Sequence, residues 1–496
     1  MVTLPARAGV FLTEESTLDA APNLADFSRT YLLGTSTLGD EYVGQAIGIG
    51  SSDDFKNLFG SASALTLNNI DFYLQNTTIG LFFVKIKPSH VATVTLVGNT
   101  AGTYELIIEG ISLSVVIPAS PVPTAASVLN KIVTEINNHT SINQLVEAEF
   151  LLDNTGTPDY STSSIRIRSK NGQTFTLTKN GTNITVTAVT LPNTFNYWDY
   201  LSAFDRVIQQ HGESDLGFLL CPEAYYTLVN QYERTIVANR AEQTARTLKW
   251  WHPIDPGNPT IINHPIKAKT DAANATAIKG HSGYYYPYPF DTDQDDISPS
   301  IALAAYAMQL YASRGMQEPP AGTEFPLRGV GGLRYTLSNP QKNDLASSKV
   351  NILIYKNGIG YVIYDTYTRS TDPKFQMVSA RIILNCLEKS IEKTIDSSGI
   401  LFQSIGSRGS FFIKLRAIIE NVVGIYYGKG ALFGATPEQA YRVRCDLSVQ
   451  TPADLQNGTV TALLYVIPAA TARQVNTIVY PLTIGNLDNV LAQLGF

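Results

Sequence analysis

The chain has 496 residues, 44% of them hydrophobic; that length allows roughly two to four domains of about 100–200 residues, each able to bury a core. Charged residues make up only 16%, and the 36 basic and 42 acidic side chains leave a net charge of −6. This balance argues against nucleic acid as the main partner, and a surface poor in charge and rich in tyrosine suits a protein covered by its neighbours.

Cys221, Cys386 and Cys445 lie far apart with no C-x-x-C pair, so indifferent buried thiols are expected rather than a zinc or disulfide framework. The opening MVTLPARAGVFLTEES lacks the apolar stretch of a signal peptide, and no run of 18 apolar residues occurs, so no membrane insertion is expected.

In chain order, residues 1–20 read as an extended arm with Pro5, Gly9 and one apolar patch, Val10-Phe11-Leu12. Arg29–Ser36 reads as a buried strand. Ser51–Gly60 carries capping residues before an apolar pair and stops at glycine, the pattern of a short helix. Asn68–Asn76 has helical spacing, and Leu81–Lys87 is a strand. Between Pro88 and Thr194 the chain turns to short β-branched runs separated by turn residues such as Gly110, Asn171-Gly172 and Asn180-Gly181, interrupted by one helix over Ala125–Asn137. This predicts a β-rich module of about 100 residues between α/β segments. Helical periodicity returns at Phe195–Gln210, a buried strand at Gly217–Pro222 and a helix at Ala224–Val237. A Pro/Gly/Asn-rich stretch spans Trp251–Pro265. Tyr284–Phe290 is an extended aromatic run, and a helix starts after Ser298-Pro299 and ends at Gly315. Lys356-Asn357-Gly358 predicts a hairpin turn. Helices follow at Phe375–Ile395 and Phe412–Tyr427, then strands in YRVRCDLS and VTALLYVIP, and a β-prone segment at Val475–Ile484. The expected class is a mixed α+β, α/β multidomain chain with extended ends.

Patterns that carry chemistry are scarce. Gly424–Gly430 imitates a phosphate loop but is one residue short, has glycine where Ser/Thr is required, and follows a helix; a glycine helix end is expected. Asp291, Asp293 and Asp295 imitate a calcium loop, yet Asp296 and Ala302 stand where glycine and glutamate are needed. No H-E-x-x-H or G-x-S-x-G occurs, and His252 and His264 are expected to pack or hydrogen-bond in their proline-rich stretch. The tyrosine run could form a sugar platform, which keeps a glycan-binding adhesin as an alternative; a strand packing its tyrosines inward is expected. The residues therefore predict no enzyme, no catalytic residue, no metal and no cofactor.

Several segments together resemble one family. Ala8-Gly9-Val10-Phe11-Leu12-Thr13-Glu14-Glu15 resembles the opening of the contractile-tail sheath proteins of bacteriophages, with Ala8 where the family has proline. Leu33-Gly34-Thr35-Ser36, Phe59-Gly60, Phe72-Tyr73-Leu74 and Phe83-Val84 resemble the same family's N-terminal part. Tyr284–Pro289, Pro299-Ser300 and Pro319-Pro320-Ala321-Gly322 are similar to its central pattern. Ser379-Ala380-Arg381-Ile382, Glu388-Lys389-Ser390-Ile391, Gly430-Ala431-Leu432-Phe433-Gly434, Glu438–Val443, Cys445-Asp446, Thr451–Asp454 and Gly458 follow its C-terminal order, with Gln450 where asparagine is common. The likeness covers about 1–87 and 196–484; residues 88–194 fall where sheath proteins vary most.

The resemblance implies a structural subunit of a contractile tail sheath. It implies an N-terminal linking arm (1–20), a discontinuous α/β sheath domain (21–87 and 195–335) and an inserted β-rich outer domain (88–194). A C-terminal, tube-facing sheath domain (336–474) and a C-terminal linking arm (475–496) complete the expected division. The partners implied are identical copies in a helical polymer, a tail tube protein, and baseplate and terminator proteins, in a virion tail assembled in the host bacterial cytoplasm, with no nucleic-acid binding. A phage-like contractile injection particle is the second reading. An arm with no core of its own gains order by adding a strand to another subunit's sheet edge. Val10, Phe11, Leu12, Ile478, Val479 and Tyr480 are the expected pairing residues.

Overall fold

The structure is a computed structural model and describes residues 22–152, 157–170, 172–192, 195–211, 215–275, 279–405 and 409–472. The first apolar run forms β1 (Phe27–Gly34), whose last five residues are all buried. After β2 (Ala46–Gly48), Ser51 accepts a hydrogen bond from Asp54 N and starts α1 (Ser52–Phe59), and Ser63 does the same from Thr66 N for α2 (Ala64–Asn76). The chain then returns as β3 (Leu81–Lys85) beside β1.

Residues 91–190 form the next unit. β4 (Val91–Leu96), β5 (Gly102–Ile108), β6 (Ile111–Ile117), α3 (Ala125–Asn138), β7 (Val146–Phe150), β8 (Ser164–Ser169), β9 (Leu177–Asn180) and β10 (Ile184–Val186) follow in order. Their pairing is antiparallel throughout, in the orders β10-β4-β8-β7 and β6-β5-β9. Alternation along β4, β5 and β6 sends every second side chain inward, and α3 closes the space with Val128, Leu129, Ile132 and Ile136. This unit has its own hydrophobic cluster, from Ala92 to Ile184.

α4 (Tyr197–His211) and β11 (Leu216–Leu220) resume the first sheet. The single helix expected at Ala224–Val237 is two, α5 (Pro222–Thr227) and α6 (Gln231–Leu248). Leu228 leaves helical geometry, and Asn230 accepts from Tyr232 N to cap a new helix. The Trp251–Pro265 stretch contributes β12 (His252–Ile254), followed by α7 (Pro265–Asn274), β13 (Ser282–Tyr286), β14 (Pro289–Phe290) and α8 (Pro299–Arg314). β15 (Gly332–Leu333), α9 (Asn339–Ser347), β16 (Val350–Lys356) and β17 (Gly360–Ile363) follow, with the last two in the expected hairpin. The C-terminal part holds α10 (Val378–Ser397), α11 (Ser410–Gly428), α12 (Pro437–Ala440), β18 (Tyr441–Arg444), α13 (Pro452–Gln456) and β19 (Leu463–Val466).

Two four-stranded sheets, β11-β1-β3-β2 and β12-β13-β16-β17, meet at a parallel bridge between Phe218 and Trp251. There Leu219 N donates to Trp251 O at 2.9 Å and Trp251 N to Gly217 O at 3.0 Å. The result is a continuous surface in the order β2-β3-β1-β11-β12-β13-β16-β17, parallel except at its two edge strands. Tyr31 stacks on Trp250 with ring centroids 4.1 Å apart, close to the seam. A sheet covered on both faces needs near-continuous apolar strands, and β11 and β13 are buried at every residue. The core is one cluster running from Ala25 to Cys445.

α8 crosses this sheet and is buried over most of its surface, with Ala302, Ala304, Ala305 and Ala307 letting the backbone approach closely. Its start is held by two side chains. Asn69 exchanges hydrogen bonds with Ser298 at 2.9 Å, and Asp255 accepts from Ser300 N at 2.7 Å and from its hydroxyl at 2.6 Å. Burial pushes the Asp255 carboxyl up to about 7, even though both Ser300 bonds favour its charged form. The folded chain therefore holds this proton more tightly than the unfolded chain, whose carboxyl has the ordinary value of 3.8. The stability this confers is complete below the ordinary value and is lost as pH rises through about 7. The unfolding free energy from urea titration is expected to fall between pH 5 and 7.5, and Asp255→Asn is expected to flatten that fall by on the order of 2 kcal/mol.

Candidate assembly interface

Among the described residues no group of His, Cys, Asp and Glu is placed to hold a metal, and no helix is long and apolar enough to cross a membrane. The chemistry-like patterns resolve into structure. Gly424–Gly428 is the last turn of α11, and Gly430 leaves it at φ 75°, a glycine helix end. Asp291 uses its own carboxylate to accept from Asp293 N and Asp295 N, both at 2.9 Å. His252 is buried between Leu219 O and the Tyr225 hydroxyl, each at 2.7 Å, and burial lowers its pKa to about 4. His264 caps α7 by accepting from Ile266 N. Tyr284, Tyr285, Tyr286 and Tyr288 are at most 1% exposed, so the aromatic run offers no platform to a sugar. A cavity of about 430 Å³ lies between α2, α5 and the 294–296 loop. Of its three carboxylates, Glu223, Asp295 and Asp296, the first is paired with Thr35 and the last with Tyr226 and Arg334.

Among the described residues, the feature that stays open is a strand edge. α10 and α11 pack together; α10 buries Ile382, Ile383 and Leu387, and α11 buries Leu415, Ile419 and Val422. Past α11 the chain runs through Ala431–Phe433. At Gly434 a Cβ would sit 2.7 Å from Ala440 N, so only glycine lets the chain close on α12. β18 then pairs antiparallel with β19, and Phe433 extends the ladder by donating from its N–H to Ile467 O at 2.8 Å. The connection between the strands is held by Gln450. Its Nε2 donates to Thr461 O at 2.7 Å and its Oε1 accepts from Thr461 N at 2.9 Å, imitating a backbone pair. Thr451 caps α13 by accepting from Asp454 N at 3.1 Å.

This ribbon has two strands, and no further described strand pairs with either edge. Ile467 N donates inward to Ala440 O. By the alternation of an antiparallel ladder, Val443 on one edge and Leu464 and Val466 on the other turn their backbone N–H and C=O outward. The inner side chains Tyr441, Val443, Leu464 and Val466 pack on the main core. The outer face carries exposed Tyr465 and Ile467, with exposed Phe433 opposite Ile467. Unpaired strand edges beside apolar side chains are a template for strand addition.

Both ends of the described chain leave from α10. Asn23 N donates to Thr394 Oγ1 at 3.2 Å and Ala25 N to Ser390 Oγ at 2.7 Å, while Thr471 shares a 2.8 Å hydrogen bond with Ser379. Ser379 and Ser390 are roughly 16 Å apart along the helix at 1.5 Å per residue. Ser390 also bonds the Tyr426 hydroxyl at 2.8 Å, which ties this anchor to α11. The pairing residues expected from sequence, Val10, Phe11, Leu12, Ile478, Val479 and Tyr480, lie outside the described residues. Sequence reading placed the strands 441–444 and 463–466 but missed that they form an isolated ribbon, because pairing depends on distant partners.

No family model matches the sequence, and no curated protein matches it. The fold has clear solved counterparts. A chain of the anti-feeding prophage baseplate, in a six-fold symmetrised cryo-EM structure, matches over 97% of this chain and 100% of that one, at 14% identity and TM-score 0.57. The anti-feeding prophage helical sheath in its contracted state matches with the same coverage, identity and TM-score. The PVC sheath complex of an extracellular contractile injection system, also contracted, matches over 98% of this chain and 100% of that one, at 15% identity and TM-score 0.54. At these identities the likeness is one of fold: the chain has the fold of contractile sheath proteins.

Leu464→Pro removes one outward N–H without touching the bonds inside the ribbon. The expected outcome is a folded chain with an unchanged far-ultraviolet spectrum whose self-association, read by sedimentation velocity, is weakened at least ten-fold.

Proposed function

We propose that this chain is the structural subunit of a contractile tail sheath. It polymerises around a tail tube and shortens from an extended, metastable state to drive the tube through a host envelope during genome delivery. The observation that carries this reading is the fold likeness to contractile sheaths over nearly the whole of both chains. The open ribbon supplies the physics. Donated strands from neighbouring copies would add about two backbone hydrogen bonds at Val443 and about four at Leu464 and Val466, at roughly 0.5–1.5 kcal/mol net apiece. Two arms per subunit make the linkage multivalent, and head-to-tail contacts that do not close generate a helical tube.

In this reading residues 1–20 and 475–496 are the linking arms, with Val10, Phe11, Leu12, Ile478, Val479 and Tyr480 as pairing residues. Residues 336–474 face the tube and 88–194 face outward. The tube, baseplate and terminator proteins are the partners, and the particle is a virion tail assembled in the host bacterial cytoplasm. Contraction is a repacking of rigid bodies held together by the arms, released across a kinetic barrier, with no nucleotide consumed. A second reading, the sheath of a phage-like injection particle, is supported by the likeness to the anti-feeding prophage and PVC sheaths.

Negative-stain microscopy of the purified chain is expected to show hollow tubes of uniform width, and deletion of residues 1–14 is expected to abolish them. Dispersed monomers from the intact chain count against the sheath reading. Unaltered tubes from the deletion count against the arm role alone.

A further inference from the structure

A second open strand edge lies on the 91–190 unit. β5 and β6 join through a two-residue turn, with Glu109 at φ 51° and Gly110 at φ 76°, and run in unbroken register from Ile108 opposite Ile111 to Gly102 opposite Ile117. Such a turn makes its closing pair a hydrogen-bonded one, so Ile111, Leu113, Val115 and Ile117 bond to β5. Ser112, Ser114 and Val116 then turn their N–H and C=O away from it. All three are exposed, and among the described residues no strand or loop bonds to those groups.

Two other sheet edges are closed. On β7, Asn137 reaches across from α3: its Nδ2 donates to Ala148 O at 2.8 Å and its Oδ1 accepts from Ala148 N at 2.9 Å. On β17, Leu327 N donates to Tyr361 O at 2.9 Å and Gly322 N to Ile363 O at 2.8 Å. β6 has no such cover, and it lacks the charge, proline or bulge with which sheets blunt an edge.

We propose that the β6 edge is a self-docking surface: two copies of this chain join their 91–190 units edge to edge, antiparallel, about a two-fold axis at Ser114.

The strand itself names the partner. Read outward from Ser114, the run from Ile111 to Ile117 meets its own reverse in kind. About the axis Ser114 lies opposite its equivalent, Leu113 opposite Val115 and Ile111 opposite Ile117, so apolar side chains meet on the inner face. Ser112 meets Val116 on the outer face. In that register Ser112, Ser114 and Val116 make hydrogen-bonded pairs, about six bonds in all, more than either edge of the C-terminal ribbon offers. No charge stands on β6 to oppose its equivalent. On the strand behind, Glu105 lies opposite Ser114. It would stand three strand spacings from its equivalent, roughly 14 Å, beyond the ~8–10 Å within which exposed charges act on each other in salt.

The contact is separate from the sheath reading. Copies along one helical tube are related head to tail, so like edges do not meet within it. β6 joins free subunits, or copies of two neighbouring tubes.

The test is a covalent trap in the full chain. In a hydrogen-bonded antiparallel pair the two Ser114 Cα atoms lie roughly 5.5 Å apart, inside the ~4.4–6.8 Å that a disulfide spans. The three natural cysteines are buried. Ser114→Cys under mild oxidation, read by non-reducing electrophoresis, is expected to give at least ten-fold more covalent dimer than Thr178→Cys, an equally exposed position on β9 of the same sheet. Adding Val116→Pro, which removes one outward N–H, is expected to cut the Ser114→Cys yield about ten-fold. A Ser114→Cys yield no greater than that of Thr178→Cys overturns the proposal, as does a yield that Val116→Pro leaves unchanged. If the proline variant does not fold, the comparison of the two single cysteines decides by itself. Tube formation, read separately by microscopy, is expected to be the same in Ser114→Cys under reducing conditions as in the natural chain.

Discussion

A backbone N–H or C=O seeks a partner, and a strand edge left without one is a template for strand addition. That constraint governs the C-terminal part of this protein. β18 and β19 satisfy each other along one side only, and a two-stranded ribbon is marginal without further support. Here it leans on the main core through Tyr441, Val443, Leu464 and Val466, and among the described residues no strand pairs with either edge. The exposed Phe433, Tyr465 and Ile467 lie beside those edges, so a strand added there would bury apolar area as well as form hydrogen bonds.

The rest of the molecule is the frame that aims this ribbon. The eight strands joined at Phe218 and Trp251 make a stiff platform, and α8 locks across it through Asn69 and Asp255. α10 is the link between platform and ribbon. It receives the first described residues at Ser390 and Thr394 and the last at Ser379, so any pull on either end acts on one helix.

The 91–190 unit is held differently. It has its own hydrophobic cluster, and its seat on the main sheet is polar and charged, with Arg168, Glu147, Asp205 and Arg240 in one network. Removing one member of such a network leaves a buried charge unpaired, which costs far more than the network as a whole contributes. A charged seat responds to protons where an apolar one would not.

Much of the local structure was legible in the residues: the β-branched runs of 88–194, the glycine stop at Gly430, the Ser-Pro start of α8 and the hairpin at Asn357-Gly358 all depend on neighbours in sequence. The single helix expected over Ala224–Val237 failed because Asn230 offered a cap that periodicity does not weigh. The tyrosine run could have faced water or core. Only its place in the middle of the sheet, between β12 and β16, decided for the core. The same holds for Asp199, unremarkable in a helical pattern until two linkers distant in sequence close on it. By itself the sequence determined which segments are strands and helices, because those choices are made by side-chain sterics and backbone bonds a few residues apart. Which strands lie side by side, which edge is left open and which carboxylate loses its water were decided by the tertiary structure, because each depends on contacts between residues far apart in the chain.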